Sequence, residues 1–280
     1  MKKLILISFL LSTHLIYGQQ SLGKARVEHL KNSVVKILID GNAVGTGFFI
    51  SDKGEILTCF HVVFNDNLKI ENSKIKSKLQ IVKNDSIVID VFIPKYYRDK
   101  GYSNARRYDY CLLQISDRKH LKDISYLKLG EFNDVNEGDI VVSCGYPHKI
   151  KVPFISSGLF STKWIETNYE LRGQDTIAVP RNVGWLDLTL NPGNSGGPII
   201  ILGDTYHDDK VVGIATFILN PFAKNATKLK KHALATRDKV KMNYGGVNQL
   251  DINAILSEAV ANNSIGISGC ISIDYFTRTR

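Results

Sequence analysis

Short apolar runs broken by Gly, Asn and Asp recur along the chain, and few of them keep a helical period. Such runs span Val34 to Asp40, Phe48 to Thr58, Lys78 to Lys83, Ser86 to Ile93 and Tyr110 to Ile115. Others follow at Asp139 to Cys144, Ile155 to Ser161, Ile177 to Val179, Ile199 to Leu202 and Val211 to Ile218. Runs of this length, rich in β-branched and aromatic residues and bounded by turn formers, read as strands. Their density predicts an all-β protein built of closed barrels, with a cleft between them for a site. The pattern changes after the last run. Ala226, Leu229, Ala233 and Val240 recur at helical spacing, Tyr244 to Val247 reads as a re-entering last barrel strand, and Asp251 to Leu256 reads as the start of a closing helix. Ser264 to Arg280 is left as an extra strand and tail. No internal repeat is visible.

A chain of 280 residues with 44% hydrophobic content can bury a full core and suits one two-barrel unit or two small domains. The first residues belong to a separate signal. Lys2 and Lys3 precede an apolar run from Leu4 to Leu11 and a further stretch to Tyr17-Gly18, the layout of a secretory signal peptide over residues 1–18. The run is interrupted by Ser12, Thr13 and His14 and is short for a membrane span of ~20 residues. Cleavage near Gly18 leaves 34 basic against 27 acidic residues, a formal +7 in place of +9. Between Phe222 and Met242 lie Lys224, Lys228, Lys230, Lys231, Arg237, Lys239 and Lys241 against Asp238, a net +6. This basic insertion is either a solvated helix face or a surface for an acidic partner or an anionic envelope. Expected export and the lack of a recognition motif make nucleic acid a poor candidate partner, and none is expected. Cys59, Cys111, Cys144 and Cys270 lie inside apolar patterns and read as buried free thiols sooner than as the two bridges that four cysteines in an exported protein would allow. No CxxC or His-rich spacing calls for a metal, and no cofactor is implied.

The chemistry concentrates in Asn191-Pro192-Gly193-Asn194-Ser195-Gly196-Gly197-Pro198. Glycines around one hydroxyl let backbone N–H groups converge beside it, which is how a serine nucleophile is displayed; the same composition also builds ordinary tight turns. A serine hydroxyl needs a base, and the base an orienting partner. His61 sits at a strand end in Leu57-Thr58-Cys59-Phe60-His61-Val62-Val63, and Asp109 opens an otherwise apolar strand. A carboxylate so placed calls for a partner, either the histidine, a turn, or Arg106 or Arg107.

With Gly45-Thr46-Gly47-Phe48-Phe49-Ile50 and Val211-Val212-Gly213-Ile214 added, these motifs resemble the trypsin-like serine peptidases, and most closely the bacterial HtrA/Deg-type branch. The similarity covers about residues 34–262. The order His, Asp, Ser agrees with the chymotrypsin-type arrangement. The resemblance implies two six-stranded antiparallel β-barrels of the chymotrypsin type with a C-terminal helix and a basic helical insertion. The first barrel would cover about 34–116, the second about 135–250, and the helix and tail about 251–280. It implies His61 as general base, Asp109 as its orienter and Ser195 as nucleophile, with the N–H groups of Gly193 and Ser195 as oxyanion hole. It places Thr189 and Gly213, Ile214, Ala215 and Thr216 around the substrate pocket; Thr189 carries no charge, which implies cleavage of polypeptides after small or medium uncharged residues. The family usually has a small polar residue at Cys59 and an alanine-like one at Cys111, so packing behind the histidine differs. Deg-type proteins usually carry a PDZ domain after the protease; too few residues remain for one here, so peptide gating is not expected. A catalytically silent scaffolding protein is the alternative function.

Overall fold

A computed structural model describes residues 21–71, 74–95, 102–122, 124–147, 150–172, 175–218, 243–244, 247–248 and 267–278. The expected leader, the basic segment 222–242 and the helix expected from Asp251 lie outside the described residues.

Six strands form the first barrel: β1 (Val34–Ile39), β2 (Asn42–Phe49), β3 (Glu55–Thr58), β4 (Leu79–Lys83), β5 (Ile87–Phe92) and β6 (Cys111–Ile115). Each is antiparallel to its neighbours, and pairing runs β1-β2-β3-β6-β5-β4 and back to β1. Burial alternates along β1 and β4, as expected when one face of a strand fills a barrel and the other meets solvent. β3 is buried along its whole length.

The second set is β7 (Ile140–Gly145), β8 (Phe154–Arg172), β9 (Asp175–Asp187), β10 (Pro198–Ile201), β11 (Lys210–Ile218) and β12 (Ile267–Ser272). Its antiparallel pairings run β7-β8-β9-β12-β11-β10 and return to β7. The two six-strand rings therefore follow the same path, a duplication of topology with no counterpart in residue identity. A short strand at Lys128–Leu129 joins β11 in parallel at the rim.

Two expectations are corrected here. The last barrel strand is Ile267–Ser272, not the segment around Tyr244, which pairs Asn243–Tyr244 with Val247–Asn248 in a sheet of its own. The second barrel therefore extends past residue 250, and the presumed tail strand is a central one. The reason is fit: a Cβ on Gly184 or Gly213 would lie 2.9 or 2.8 Å from the Cys270 sulfur, so β12 fills space left by glycines on both neighbours. An unanticipated helix, α1 (Lys24–Ser33), precedes β1. It has little amphipathic pattern to announce it. Arg26 fixes it by pairing with the buried carboxylate of Asp209 at 3.1 Å and donating to the Gly203 carbonyl at 2.6 Å.

The interior of the second barrel holds Val141, Phe160, Leu186, Leu188, Leu190, Ile199, Val212, Ala215 and Cys270. The larger apolar cluster crosses between the barrels: Val142, Cys144, Tyr146, Ile200 and Ile214 pack with the core of the first. Burial of this kind stabilises by roughly 25 cal/mol per Å² of apolar surface and docks the two rings against each other.

Gly213→Ala places a methyl against the Cys270 sulfur and, at 3.0 Å, the Ile271 carbonyl. The expected cost is about 1–3 kcal/mol, read as a lower urea midpoint with unchanged slope; unaltered stability would show that β12 does not pack as described.

Candidate active site

His61 reaches the cleft because β3 is locked between β2 and β6 and ends at Cys59, where the chain turns into the single-turn helix α2 (Phe60–Val63). Val62 and Val63 are buried while the His61 side chain is 47% exposed. At the start of a helix, backbone N–H groups lack partners. That of His61 donates to Asp109 Oδ1 at 2.9 Å.

Asp109 is placed by a helix ending. Helix α3 (Tyr102–Arg107) closes with Tyr108 N–H donating to the Asn104 carbonyl and Tyr110 N–H donating back to the Ala105 carbonyl at 3.0 Å. Asp109 takes the left-handed conformation between them, φ +52°, and Ala105 and Tyr110 are both fully buried. This is a Schellman-type C-cap with its apolar contact. Glycine is the usual occupant; aspartate tolerates the conformation at a cost of roughly 1–2 kcal/mol, and it is the residue with a carboxylate to offer.

Both carboxylate oxygens are engaged. His61 Nδ1 lies 2.8 Å from Oδ2 and 3.0 Å from Oδ1, and the Thr216 hydroxyl donates to Oδ2. Burial alone would push the Asp109 carboxyl up, but the hydrogen bonds and charge of His61, with the Thr216 hydroxyl, outweigh it and hold the group below the usual carboxylate range. An ionised carboxylate only accepts, so Nδ1 carries a proton, and in the neutral imidazole Nε2 is then the acceptor.

Ser195 arrives from the second barrel on the turn that feeds β10. Asn194 N–H donates to the Asn191 carbonyl at 3.0 Å while Gly193 has φ +100°, the signature of a type II turn with Pro192 and Gly193 at its centre. Gly196 follows with φ +86° and no room for a Cβ, which would stand 2.2 Å from both the Thr46 carbonyl and the Thr58 hydroxyl. Gly196 N–H donates to the Ala215 carbonyl, Gly197 N–H to the Asn194 carbonyl, and Ala215 N–H to the Gly197 carbonyl, at 2.8–2.9 Å. Thr46 supplies the rest, its N–H donating to the Ser195 carbonyl at 2.9 Å and its hydroxyl to the Gly193 carbonyl at 2.7 Å. Asn194, Gly196 and Gly197 thus spend their N–H groups internally. Among the described residues, those of Gly193 and Ser195 donate to nothing.

The structure thus joins His61 to Asp109 through hydrogen bonds, while no hydrogen bond links the Ser195 hydroxyl to His61. Four of the five residues expected around the substrate pocket are buried or half-buried. Ile214 and Ala215 are 1% exposed and belong to the two apolar clusters, Gly213 backs onto Cys270, and Thr216 is turned onto Asp109. β11 is a wall strand paired on both edges, and the side chains of Ile214, Ala215 and Thr216 serve the core and the carboxylate; Thr189 alone of the five is exposed. The bond of Thr216 to Asp109 and the role of Thr46 are not visible from sequence. The residue type carries no signal, since a hydroxyl reads the same in any strand.

Cys59, His61 and Asp109 bring one sulfur, one nitrogen and one oxygen within 4.8 Å. That donor set is already consumed: the thiol donates to the Ala215 carbonyl at 3.2 Å, and burial, with Asp109 nearby, raises its pKa well above the usual thiol value. Such a sulfur is a poor ligand. All four cysteines are buried and unpaired, with Cys144 and Cys270 pushed up to about 12 by burial.

A family model for the trypsin-like peptidase domain matches residues 45–214. The chain belongs to the trypsin-like peptidase family. Its relatives include a probable periplasmic serine endoprotease, DegP-like, of Rickettsia conorii, 29% identical over 65% of this chain and 30% of that protein. Protease Do-like 4, mitochondrial, of Arabidopsis thaliana is 31% identical over 76% of this chain and 36% of its own length. The chain therefore spans about a third of the length of these relatives. Among solved structures, the HtrA-type protease AlgW with tripeptide superposes with a TM-score of 0.54 at 16% identity, over 90% of this chain and 60% of that one. An inactive form of Rv3671c from M. tuberculosis gives 0.57 at 16% identity, over 92% and 89%. These two share the trypsin-like fold with this chain.

Because the folded-state Asp109 carboxyl is lowered, its stabilising contribution is complete above the ordinary carboxylate range near 4 and is lost as pH falls through its lowered value. Thr216→Val removes a hydrogen bond to a charged group, with an expected loss of about 1.5–3 kcal/mol near pH 7. That difference should shrink as the solution is acidified and the carboxylate takes its proton. Urea midpoints of both proteins from pH 7 down to about 2.5 check this; a pH-independent difference would mean that Thr216 acts through packing alone.

Proposed function

We propose that this chain is an exported serine endopeptidase that hydrolyses peptide bonds through an acyl-enzyme. The observation that carries the reading is the pair of unspent N–H groups at Gly193 and Ser195, beside a hydroxyl, on a loop whose Gly196 abuts Thr58 and Cys59 just ahead of His61. In this mechanism Ser195 Oγ attacks the scissile carbonyl and His61 Nε2 accepts its proton. The imidazolium so formed is stabilised by Asp109, which stays ionised. Gly193 and Ser195 N–H receive the oxyanion; one such donor contributes about 100- to 1,000-fold in rate. His61 returns the proton to the leaving amine, and water, deprotonated by the same base, releases the acyl group. The absence of a Ser195–His61 hydrogen bond is compatible with a resting site, since catalytic hydrogen bonds tighten in the substrate complex.

Thr189 provides no counter-ion for Lys or Arg, which supports cleavage after small or medium uncharged residues. The Lys2-Lys3 and apolar layout of residues 1–18 supports export to the periplasm or beyond, with residues 19–280 as the protease domain. The basic segment 222–242 would meet an acidic polypeptide or an anionic envelope surface, a contact that salt weakens.

The missing Ser195–His61 bond also favours a second reading, a protease-fold scaffold that binds without cleaving. Labelling with a fluorophosphonate separates the two. We expect the protein to be labelled, with labelling abolished in Ser195→Ala and reduced at least 1,000-fold in rate in His61→Ala. A folded protein that takes no label is the scaffold.

A further inference from the structure

We infer that Thr46 is a positioning residue that keeps the oxyanion loop in its receptive shape, an inference that rests on the proteolytic reading of the site. Thr46 belongs to β2 of the first barrel and is fully buried, yet it holds the loop of the second. Its N–H donates to the Ser195 carbonyl at 2.9 Å and its hydroxyl to the Gly193 carbonyl at 2.7 Å. The hydroxyl also accepts the N–H of Tyr146, at the end of β7, at 2.9 Å. Its carbonyl accepts the hydroxyl of Thr58, which precedes the Cys59–His61 turn, at 2.6 Å. One residue thus joins the nucleophile loop, the second barrel's β7 and the segment that bears the histidine.

The geometry shows why the hydroxyl matters most. Three successive peptides of the loop are pinned: Gly193–Asn194 by Thr46 Oγ1 and the Asn191 carbonyl, Asn194–Ser195 by Gly197, and Ser195–Gly196 by Thr46 N–H and the Ala215 carbonyl. The Pro192–Gly193 peptide has no partner among the described residues, and rotating it converts the type II turn to type I. That rotation turns the Gly193 N–H out of the cleft. The restraint nearest to it is the Thr46 hydroxyl on the next carbonyl. Without that hydroxyl, the Gly193 carbonyl and the Tyr146 N–H both lose a buried partner, and the released Gly193–Asn194 peptide lets the turn open, breaking the Asn194 bond, and reclose in either form.

Thr46→Val removes the hydroxyl at nearly constant volume, Thr46→Ser keeps it, and Thr46→Ala repeats the deletion should the valine variant not fold. Two readouts are taken on each: kcat and KM on a peptide substrate, and amide hydrogen exchange at Asn194, whose N–H closes the turn. Loosening rather than deleting an oxyanion donor predicts a kcat about 10- to 100-fold lower in Thr46→Val with KM within about threefold. Affinity for a peptide boronate should fall in step with kcat/KM, and Thr46→Ser should restore both to within about threefold. Exchange at Asn194 should accelerate at least tenfold in Thr46→Val, while that at Gly197 stays unchanged. The inference is overturned if the hydroxyl-free variants keep wild-type kcat and Asn194 exchange, or if Thr46→Ser is as impaired as Thr46→Val. A wild-type protein without activity would sink the proteolytic reading, yet the exchange result would still decide whether Thr46 holds the turn.

Discussion

The site depends on how backbone hydrogen bonds are satisfied between residues 191 and 197. Buried N–H and C=O groups are paired almost without exception in folded proteins, so a loop that leaves two donors open needs partners for all the others. Here those partners come from both rings. Ala215 of β11 takes and gives bonds at Gly196 and Gly197, and Thr46 of β2 takes the carbonyls of Gly193 and Ser195. Neither barrel alone could shape the loop. The apolar cluster that crosses between them is therefore part of the site's construction, because sliding one ring past the other would separate donors from acceptors before it exposed much surface.

The same division governs the other half of the cleft. His61 and Asp109 both leave the first barrel, one at the end of β3 and one at the start of β6, and these two strands are paired. Their approach is thus a property of a single sheet, reinforced by the left-handed cap that aims the carboxylate. The second barrel then reaches across with Thr216 to the same carboxylate. Two rings of identical path have taken complementary parts, one presenting the histidine and its carboxylate, the other the serine and its donors. In the proposed mechanism the cleft is the place where the two meet.

Much of this was legible in the sequence, for identifiable reasons. The strands announced themselves through β-branched runs, and the Pro-Gly pair at 192–193 specified a turn with positive φ at its third residue. His61 and Asp109 stood out because each interrupts apolar surroundings. What was not legible depends on partners distant in the chain. Ile267–Ser272 looked like a tail strand, since nothing local shows that glycines at 184 and 213 leave space for Cys270. Helix α1 lacks an apolar stripe and is held by Arg26 on Asp209, a contact 183 residues away. The bond from the Thr216 hydroxyl to Asp109 joins residues 107 positions apart. The common topology of the barrels was hidden because topology constrains path and burial, not identity.

The central claim is that the loop already presents Gly193 and Ser195 N–H to an oxyanion. A crystal structure of the protein with a peptide aldehyde bound to Ser195 tests it most directly. The account predicts a tetrahedral oxygen about 2.7–3.1 Å from both nitrogens, with the turn at 191–194 and the Thr46 bonds unchanged from the free protein. An oxygen directed elsewhere, or a Pro192–Gly193 peptide that has to invert to receive it, would contradict that claim.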